Sequence, residues 1–132
     1  MHATRHAARG LLLLALFALL VGCGAGKPEK FAQRFYQTVA EGKVDRAVDM
    51  FSFEGVREAE MTTARGKVTM AVGEMQARIT RGGGLDSVEV VSVTENPEGV
   101  RVHSRLKLKN GGSLDDYLQL AREGREWKIR LN

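Results

Sequence analysis

Apolar side chains recur at helical spacing from residue 28 onward. The first apolar stripe repeats every three or four residues and consists of Phe31, Ala32, Phe35, Tyr36 and Val39. Such a stripe predicts an amphipathic helix with one buried face. Pro28 precedes the stripe and Gly42 follows it, and these residue types favour the first turn and the end of a helix respectively. The helix is therefore expected to begin near Pro28 and to end before Gly42.

Two further helices are predicted before residue 82, where the hydrophobic period changes. Asp45 can cap a short second helix, and a break follows around Gly55. From residue 56 to residue 81 the apolar positions again lie three or four residues apart. Gly66 and Gly73 fall inside this stretch, and glycine costs a helix up to about 1 kcal/mol. We therefore expect a break or a bend at each of these glycines.

After three glycines at residues 82–84 the hydrophobic period falls to two, which is typical of strands. Residues 88–93 are the first predicted strand, and residues 96–99 and 110–112 are predicted turns. A last turn follows at Glu123 and Gly124. The residues that this alternation predicts to face inward are Val100, Val102, Ser104, Leu106, Leu108, Leu118, Leu120, Trp127, Ile129 and Leu131.

Helices followed by antiparallel strands predict an α+β domain with the N-terminal helices packed on one face of a curved antiparallel sheet. The segment Glu-Gly-Lys-Val-Asp-Arg-Ala at 41–47 and the closing Glu-Trp-Lys-Ile at 126–129 fit this order. With them the chain resembles the nuclear transport factor two-like superfamily over residues 28–132. The resemblance implies a cystatin-like cone, in which some members hold a small ligand and others bind a partner or dimerise. Fold alone does not choose between these uses.

The first 22 residues have the pattern of an export signal. Arg5 and Arg9 stand in a start without acids, and an apolar run of eleven residues follows at 11–21. As a helix this run spans about 16 Å, against about 30 Å for the hydrocarbon core of a membrane. A permanent transmembrane span is therefore not expected.

The segment Leu-Val-Gly-Cys at 20–23 resembles the lipobox of bacterial lipoproteins. The resemblance implies that diacylglycerol is attached to Cys23 and that residues 1–22 are removed as a lipoprotein signal peptide. Residues 23–28 are then the lipidated cysteine and its tether, and residues 29–132 are the α+β domain. Two or three acyl chains, at about 0.8 kcal/mol per buried CH₂, make a stable anchor. The alternative is an ordinary secretory signal followed by a chance cysteine.

The residue after Cys23 bears on which membrane holds the protein. Gly24 is not the Asp that marks inner-membrane retention in some bacteria. The periplasmic face of the outer membrane is therefore slightly favoured, and the inner membrane stays open.

The net charge and the numbers of histidine and cysteine residues exclude several classes of function. The 110 residues from Cys23 onward contain 18 basic and 16 acidic residues, a net charge of +2. Neither this charge nor an exported location fits a nucleic-acid partner, and an electrostatic partner would have to meet a local patch. His103 is the one histidine of this part and Cys23 is the one cysteine, so no metal site and no cofactor is expected.

A catalytic alternative would place acids and tyrosines inside the cone. The candidates for such an isomerase-like or dehydratase-like pocket are Tyr36, Asp49, Asp116 and Tyr117. A general acid or base needs convergent geometry and a shifted pKa, and no sequence shows either. The competing interpretation places Tyr36 in the core and leaves the Asp115–Asp116 pair beside a turn or next to strand lysines. We expect no catalytic residue.

Cations alternate with the apolar residues of one strand and recur on the last one. The predicted anion-binding or partner-binding face consists of Arg101, Arg105, Lys107, Lys109, Lys128 and Arg130, with His103 among them as a solvated residue. One interpretation is a solvated outer face that discourages edge pairing. The other is attraction to anionic headgroups or another envelope polyanion, at about 1 kcal/mol per cation near the surface.

Together these features predict a lipid-anchored cell-envelope protein. Its membrane contact is the acylated Cys23, and its domain is expected to bind an envelope protein or a small ligand without catalysis. The alternative is a pocket enzyme of the same fold.

Overall fold

The computed structural model describes residues 26–131, so the lipobox and Cys23 lie outside the described residues. Within residues 26–131, three α-helices precede four strands. The helices are α1 (Pro28–Ala40), α2 (Val44–Val48) and α3 (Met61–Arg81), with a 3₁₀ turn (Glu58–Glu60) directly before α3. The strands are β1 (Leu85–Asn96), β2 (Gly99–Leu108), β3 (Ser113–Glu123) and β4 (Glu126–Ile129). They form one antiparallel sheet in the order β1-β2-β3-β4, so the predicted α+β architecture is confirmed.

Helix α1 provides the helical side of the core. Pro28 lies at its start, and its predicted stripe is buried throughout, consisting of Phe31, Ala32, Phe35, Tyr36 and Val39. The chain reverses at Gly42, whose φ of +77° is the left-handed conformation that only glycine adopts without strain. Helix α2 follows, but its capping differs from the prediction. Lys43 is the N-cap residue of α2, and Asp45 lies inside the first turn without a capping hydrogen bond.

Helix α3 is continuous from Met61 to Arg81, so the part of the prediction that placed a break at Gly66 or Gly73 is wrong. A Cβ added at either glycine would have no neighbour within 4 Å. The helix is held instead by its opposite face, where Val68, Val72 and Ile79 are buried. Burial of that face offsets the modest propensity cost of two glycines, because packing provides most of the stability of helices in proteins.

Strand β2 supplies the centre of the sheet side of the core. All five residues of its predicted inward parity are buried, namely Val100, Val102, Ser104, Leu106 and Leu108. Strand β1 is longer than predicted, since it pairs with β2 from Leu85 to Asn96. On the last strand Trp127 and Ile129 are buried as expected. Leu131 is 38% exposed, so its predicted inward position is wrong, because β4 ends at Ile129.

The outer edge of β4 is covered by the segment after α2. Phe51 forms a parallel bridge with Ile129, the Ser52 N–H donates to the Ile129 carbonyl at 2.7 Å, and the Ile129 N–H donates to the Met50 carbonyl at 2.9 Å. These bonds close the sheet against the helical layer. The buried core extends from Phe31 to Ile129 and therefore lies entirely within residues 26–131.

Candidate functional site

A polar pair lies between the helical layer and the sheet. Tyr36 on α1 is fully buried, and its hydroxyl donates to Asp116 Oδ2 at 2.7 Å. Asp116 is half-buried on β3 and faces inward there because Leu114 and Leu118 share its parity. Ser104 is buried opposite Asp116 on β2, and its Oγ has no hydrogen-bond partner among the described residues. The sequence named Tyr36 and Asp116 as candidates, and the fold brings these two together.

Burial governs the protonation of this pair. Burial raises the pKa of Asp116 more than the hydrogen bond from Tyr36, the Tyr117 N–H and the charge of Arg78 lower it. Burial and the adjacent Asp116 charge also raise the pKa of Tyr36 far above its ordinary value, so the phenol remains a hydrogen-bond donor. The raised pKa of Tyr36 lies further from neutral pH than that of a free tyrosine, which does not suit a general acid or base. The hydroxyl of Tyr36 and the carboxylate of Asp116 are also directed at each other.

The other two catalytic candidates lie elsewhere. Asp49 is exposed after α2, where Arg65 Nη2 approaches its Oδ1 at 2.7 Å. Tyr117 is 52% exposed on the outer face of the sheet, where its ring stacks on His103 at 4.4 Å between ring centroids. The four candidates therefore do not converge on one pocket.

The outer face of the sheet carries the strand cations, and facing acids neutralise part of their charge. Arg105 Nε lies 3.0 Å from Asp115 Oδ1, and Lys107 Nζ lies 3.4 Å from Glu89 Oε2. Cross-strand neighbours on one face make such pairs the expected outcome. Arg101 lies over the Tyr117 ring, with its Cζ 4.7 Å from the ring centroid.

The remaining members of the predicted basic face are dispersed. Lys109 lies beyond the end of β2, and Arg130 lies beyond the end of β4. Lys128 Nζ donates to the Asp49 carbonyl at 2.8 Å. Lys128 pairs with Ala121 on β3, whereas Arg105 pairs with Asp115, and six residues of strand span about 20 Å. The six predicted cations therefore do not form one patch.

His103 also differs from the prediction. Its side chain is only 17% exposed, because it is stacked under the Tyr117 ring, so it is not a solvated residue. Its Nε2 lies 3.8 Å from Asp115 Oδ2 and has no hydrogen-bond partner among the described residues. His103 faces away from the interior, because it alternates with the buried Val102 and Ser104.

A second basic surface was missed in the sequence. We call it the tether groove: a groove of about 450 Å³ between the N-terminal half of α1 and β4, lined by Trp127 and Met50. Its cationic lining residues are Lys27, Lys30, Arg34, Arg125 and Lys128, and its one acidic lining residue is Glu126. The only sequence signal was the spacing of Lys27, Lys30 and Arg34 at the start of α1, which is typical of an ordinary polar helix face.

The tether enters the domain at this groove. Trp127 Nε1 donates to the Gly26 carbonyl at 3.2 Å, and Gly26 has a φ of +67°, where glycine is unstrained. Arg122 lies over the Trp127 ring, with its Cζ 4.8 Å from the ring centroid. The beginning of the described chain is thus fixed to the core.

Residues 26–131 contain no group of three or more His, Cys, Asp or Glu side chains that could hold a metal ion. No helix in the same residues is long and apolar enough to cross a membrane.

Helices covering one face of a curved four-stranded sheet define the class of fold to which this chain belongs. A crystal structure from Campylobacter jejuni, provisionally described as an NTF2-like transpeptidase, has the same fold. The TM-score is 0.73 over 81% of this chain and 100% of that chain, at 22% sequence identity. NTF2 stands for nuclear transport factor two, so the fold implied by the sequence resemblance is confirmed. At this identity the likeness shows the fold alone.

The family is given by a sequence model. The DUF4878 model, described as a domain of unknown function, matches residues 21–130. The chain therefore belongs to the DUF4878 family. The curated proteins give no significant match.

Proposed function

We propose that this chain is an exported, lipid-anchored cell-envelope protein whose NTF2-like domain binds a protein partner or a small ligand and catalyses no reaction. The anchor is the acylated Cys23, and the periplasmic face of the outer membrane is the favoured location. The observation that carries the non-enzymatic assignment is the closed Tyr36–Asp116 pair inside the apolar core.

The interior of the cone leaves little room for a substrate at this pair. Tyr36 is fully buried, and its hydroxyl is already bonded to Asp116. Val39, Val102 and Leu106 are fully buried in the same core. Four of the surface grooves of residues 26–131 are lined by neither Tyr36 nor Asp116. Binding at the surface fits this arrangement better than chemistry inside the cone.

A pocket enzyme is the second candidate, and one observation favours it. The raised pKa of Asp116 beside a tyrosine hydroxyl is the kind of perturbation found at acid–base sites. The acyl-transfer chemistry of a transpeptidase has less support, because an activated hydroxyl needs an adjacent base. Ser104 Oγ has no partner among the described residues, and the neighbouring His103 faces the other side of the sheet.

Crosslinking in intact cells separates the two candidates. Wild type, Tyr36→Phe and the matched surface control Tyr117→Phe are crosslinked, and the captured partners are identified. A binding domain gives the same specific products in all three, since the Tyr36 hydroxyl does not reach the surface. Each variant is also tested for whether it can replace the wild-type protein in the cell. If Tyr36→Phe cannot, although its fold and its crosslinked products are unchanged, the enzyme is favoured.

Anchoring is tested with Cys23→Ser, and Ala25→Ser serves as the control within the tether. Cell fractions are washed at high salt, and the mass of the N-terminal peptide is measured. We expect wild type and Ala25→Ser to be acylated and to remain in the membrane, whereas Cys23→Ser is released. Retention of a processed Cys23→Ser protein after the wash would refute the lipid anchor.

A further inference from the structure

The tether groove combines a high local charge with a partly apolar floor. Five of its lining residues are cations and one is an acid, although the mature chain as a whole carries only +2. The positive charge of the domain is therefore concentrated at this place. Trp127 and Phe31 provide apolar surface below the cations. A groove of about 450 Å³ with such a lining suits a small anionic group attached to an apolar one.

Most of these cations are unpaired. Lys27, Lys30, Arg34 and Arg125 form no ion pair with any carboxylate in residues 26–131, whereas Lys128 is occupied by the Asp49 carbonyl. This distinguishes the groove from the outer face of the sheet, where the facing acids lie at 3.0 and 3.4 Å. Four uncompensated cations around one concavity attract an anion more strongly than cations paired with acids.

The position of the groove identifies the anion. Gly26 is part of its lining and is bonded to Trp127. Gly26 is the third residue after Cys23, so their Cα atoms lie at most about 11 Å apart. A lipid attached to Cys23 would therefore hold the groove within reach of the headgroups. We infer that the tether groove binds the anionic headgroup of a phospholipid in the membrane to which the chain is anchored; this orientation rests on the proposed lipid anchor.

The test uses residues 24–132, which contain the complete core but lack Cys23. Trp127 is the only tryptophan of the chain and lines the groove, so its fluorescence is an intrinsic probe of this place. Vesicles of phosphatidylcholine, with or without phosphatidylglycerol, are titrated into the protein. We expect a change of fluorescence and co-sedimentation only with the phosphatidylglycerol vesicles. Raising the salt to about 1 M, where the screening length is about 3 Å, should remove most of the binding.

Two triple variants with the same loss of charge test the location of binding. Lys27→Gln, Lys30→Gln and Arg34→Gln together should weaken binding at least tenfold. The control is the triple Gln variant of Arg101, Lys107 and Lys109, which should change binding less than threefold.

All six side chains are at the surface, and an unchanged circular-dichroism melt confirms that both variants fold. The single variant Lys30→Glu provides a milder second test, with a loss in the same direction.

Three outcomes would overturn the inference. Equal losses in the two triple variants would show that net charge alone drives binding, and equal binding to neutral vesicles would show that no anion is recognised. If inorganic phosphate displaced the vesicles completely while its concentration was still below that of the lipid, the groove would be assigned to free phosphate instead. The inference and the anchor fail separately, because vesicle binding by residues 24–132 does not involve Cys23 and high-salt fractionation does not depend on the groove.

Discussion

Removal of the Tyr36 hydroxyl tests how the interior of the cone is stabilised. In Tyr36→Phe the ring remains in the core and only the hydrogen bond to Asp116 Oδ2, 2.7 Å long, is lost. A neutral hydrogen bond contributes about 0.5–1.5 kcal/mol and one to a charged group about 1.5–3 kcal/mol. Because Asp116 is half-buried and keeps the Tyr117 N–H, we expect a loss of about 1–2 kcal/mol. At about 4–8 °C per kcal/mol for a domain of this size, Tm falls by about 5–15 °C.

The companion variant Asp116→Asn tests the charge of the pair. The pKa of Asp116 is raised in the folded state, chiefly by burial, above the value near 3.9 of an unfolded chain. Between these two pKa values the folded state binds more protons than the unfolded state, so the contribution of Asp116 to stability falls as pH rises. Wild type should therefore lose stability relative to Asp116→Asn as the pH rises from about 4 through the folded pKa.

The assay is urea and thermal unfolding of residues 24–132 by circular dichroism from acid to neutral pH. Tyr117→Phe is the matched control, because the same atom is removed from a ring that is 52% exposed. Its free energy of unfolding should lie within about 0.5 kcal/mol of the wild-type value. A Tyr36→Phe protein as stable as wild type, or parallel pH curves for wild type and Asp116→Asn, would refute this account of the interior.

Three further predictions concern stability and are measured by the same unfolding experiments. Trp127→Ala should cost about 3–5 kcal/mol, since the ring is only 8% exposed, and an unchanged urea midpoint would contradict this. Gly66→Ala should stabilise α3 by up to about 1 kcal/mol because its Cβ meets open space, whereas Gly82→Ala should destabilise because its Cβ would overlap Leu108. Lys107→Gln breaks an ion pair between side chains about half exposed and should change stability by less than about 0.5 kcal/mol.

The helices and strands were largely predictable because periodicity reports burial directly. In the structure, the apolar stripe of α1 from Phe31 to Val39 is the buried face of that helix. The apolar residues that alternate along β2 from Val100 to Leu108 are likewise its buried face. The errors have local causes. Propensity predicted a break at Gly66 and Gly73, but packing on the opposite face of α3 overrides a cost of about 1 kcal/mol.

The candidate sites were less predictable, because they depend on the pairing register of the strands and on the side of the sheet to which each side chain points. Asp115 and Asp116 are adjacent in sequence, and only the pleat places Asp115 with Arg105 outside and Asp116 with Tyr36 inside. The sequence alternation identified the cations of β2, but which acid lies beside which cation depends on the register between strands, as it does for Glu89 of β1 and Lys107 of β2. The predicted lipidation of Cys23 lies outside the described residues and remains a prediction.

The two basic surfaces show why position matters more than number of cations. On the sheet, the cross-strand register places Glu89 and Asp115 beside the cations of β2. These acids form ion pairs with Lys107 and Arg105 and neutralise much of that positive charge. In the tether groove, the cations of α1 meet Arg125 of the β3–β4 turn, and Glu126 at the start of β4 is the one acid that lines the groove.

The groove also holds Gly26, so a chain anchored at Cys23 would present it to the membrane at a short, fixed reach. A tether this short raises the effective concentration of headgroups at the groove. Even a contact too weak to hold the free domain on a membrane would then orient the anchored one.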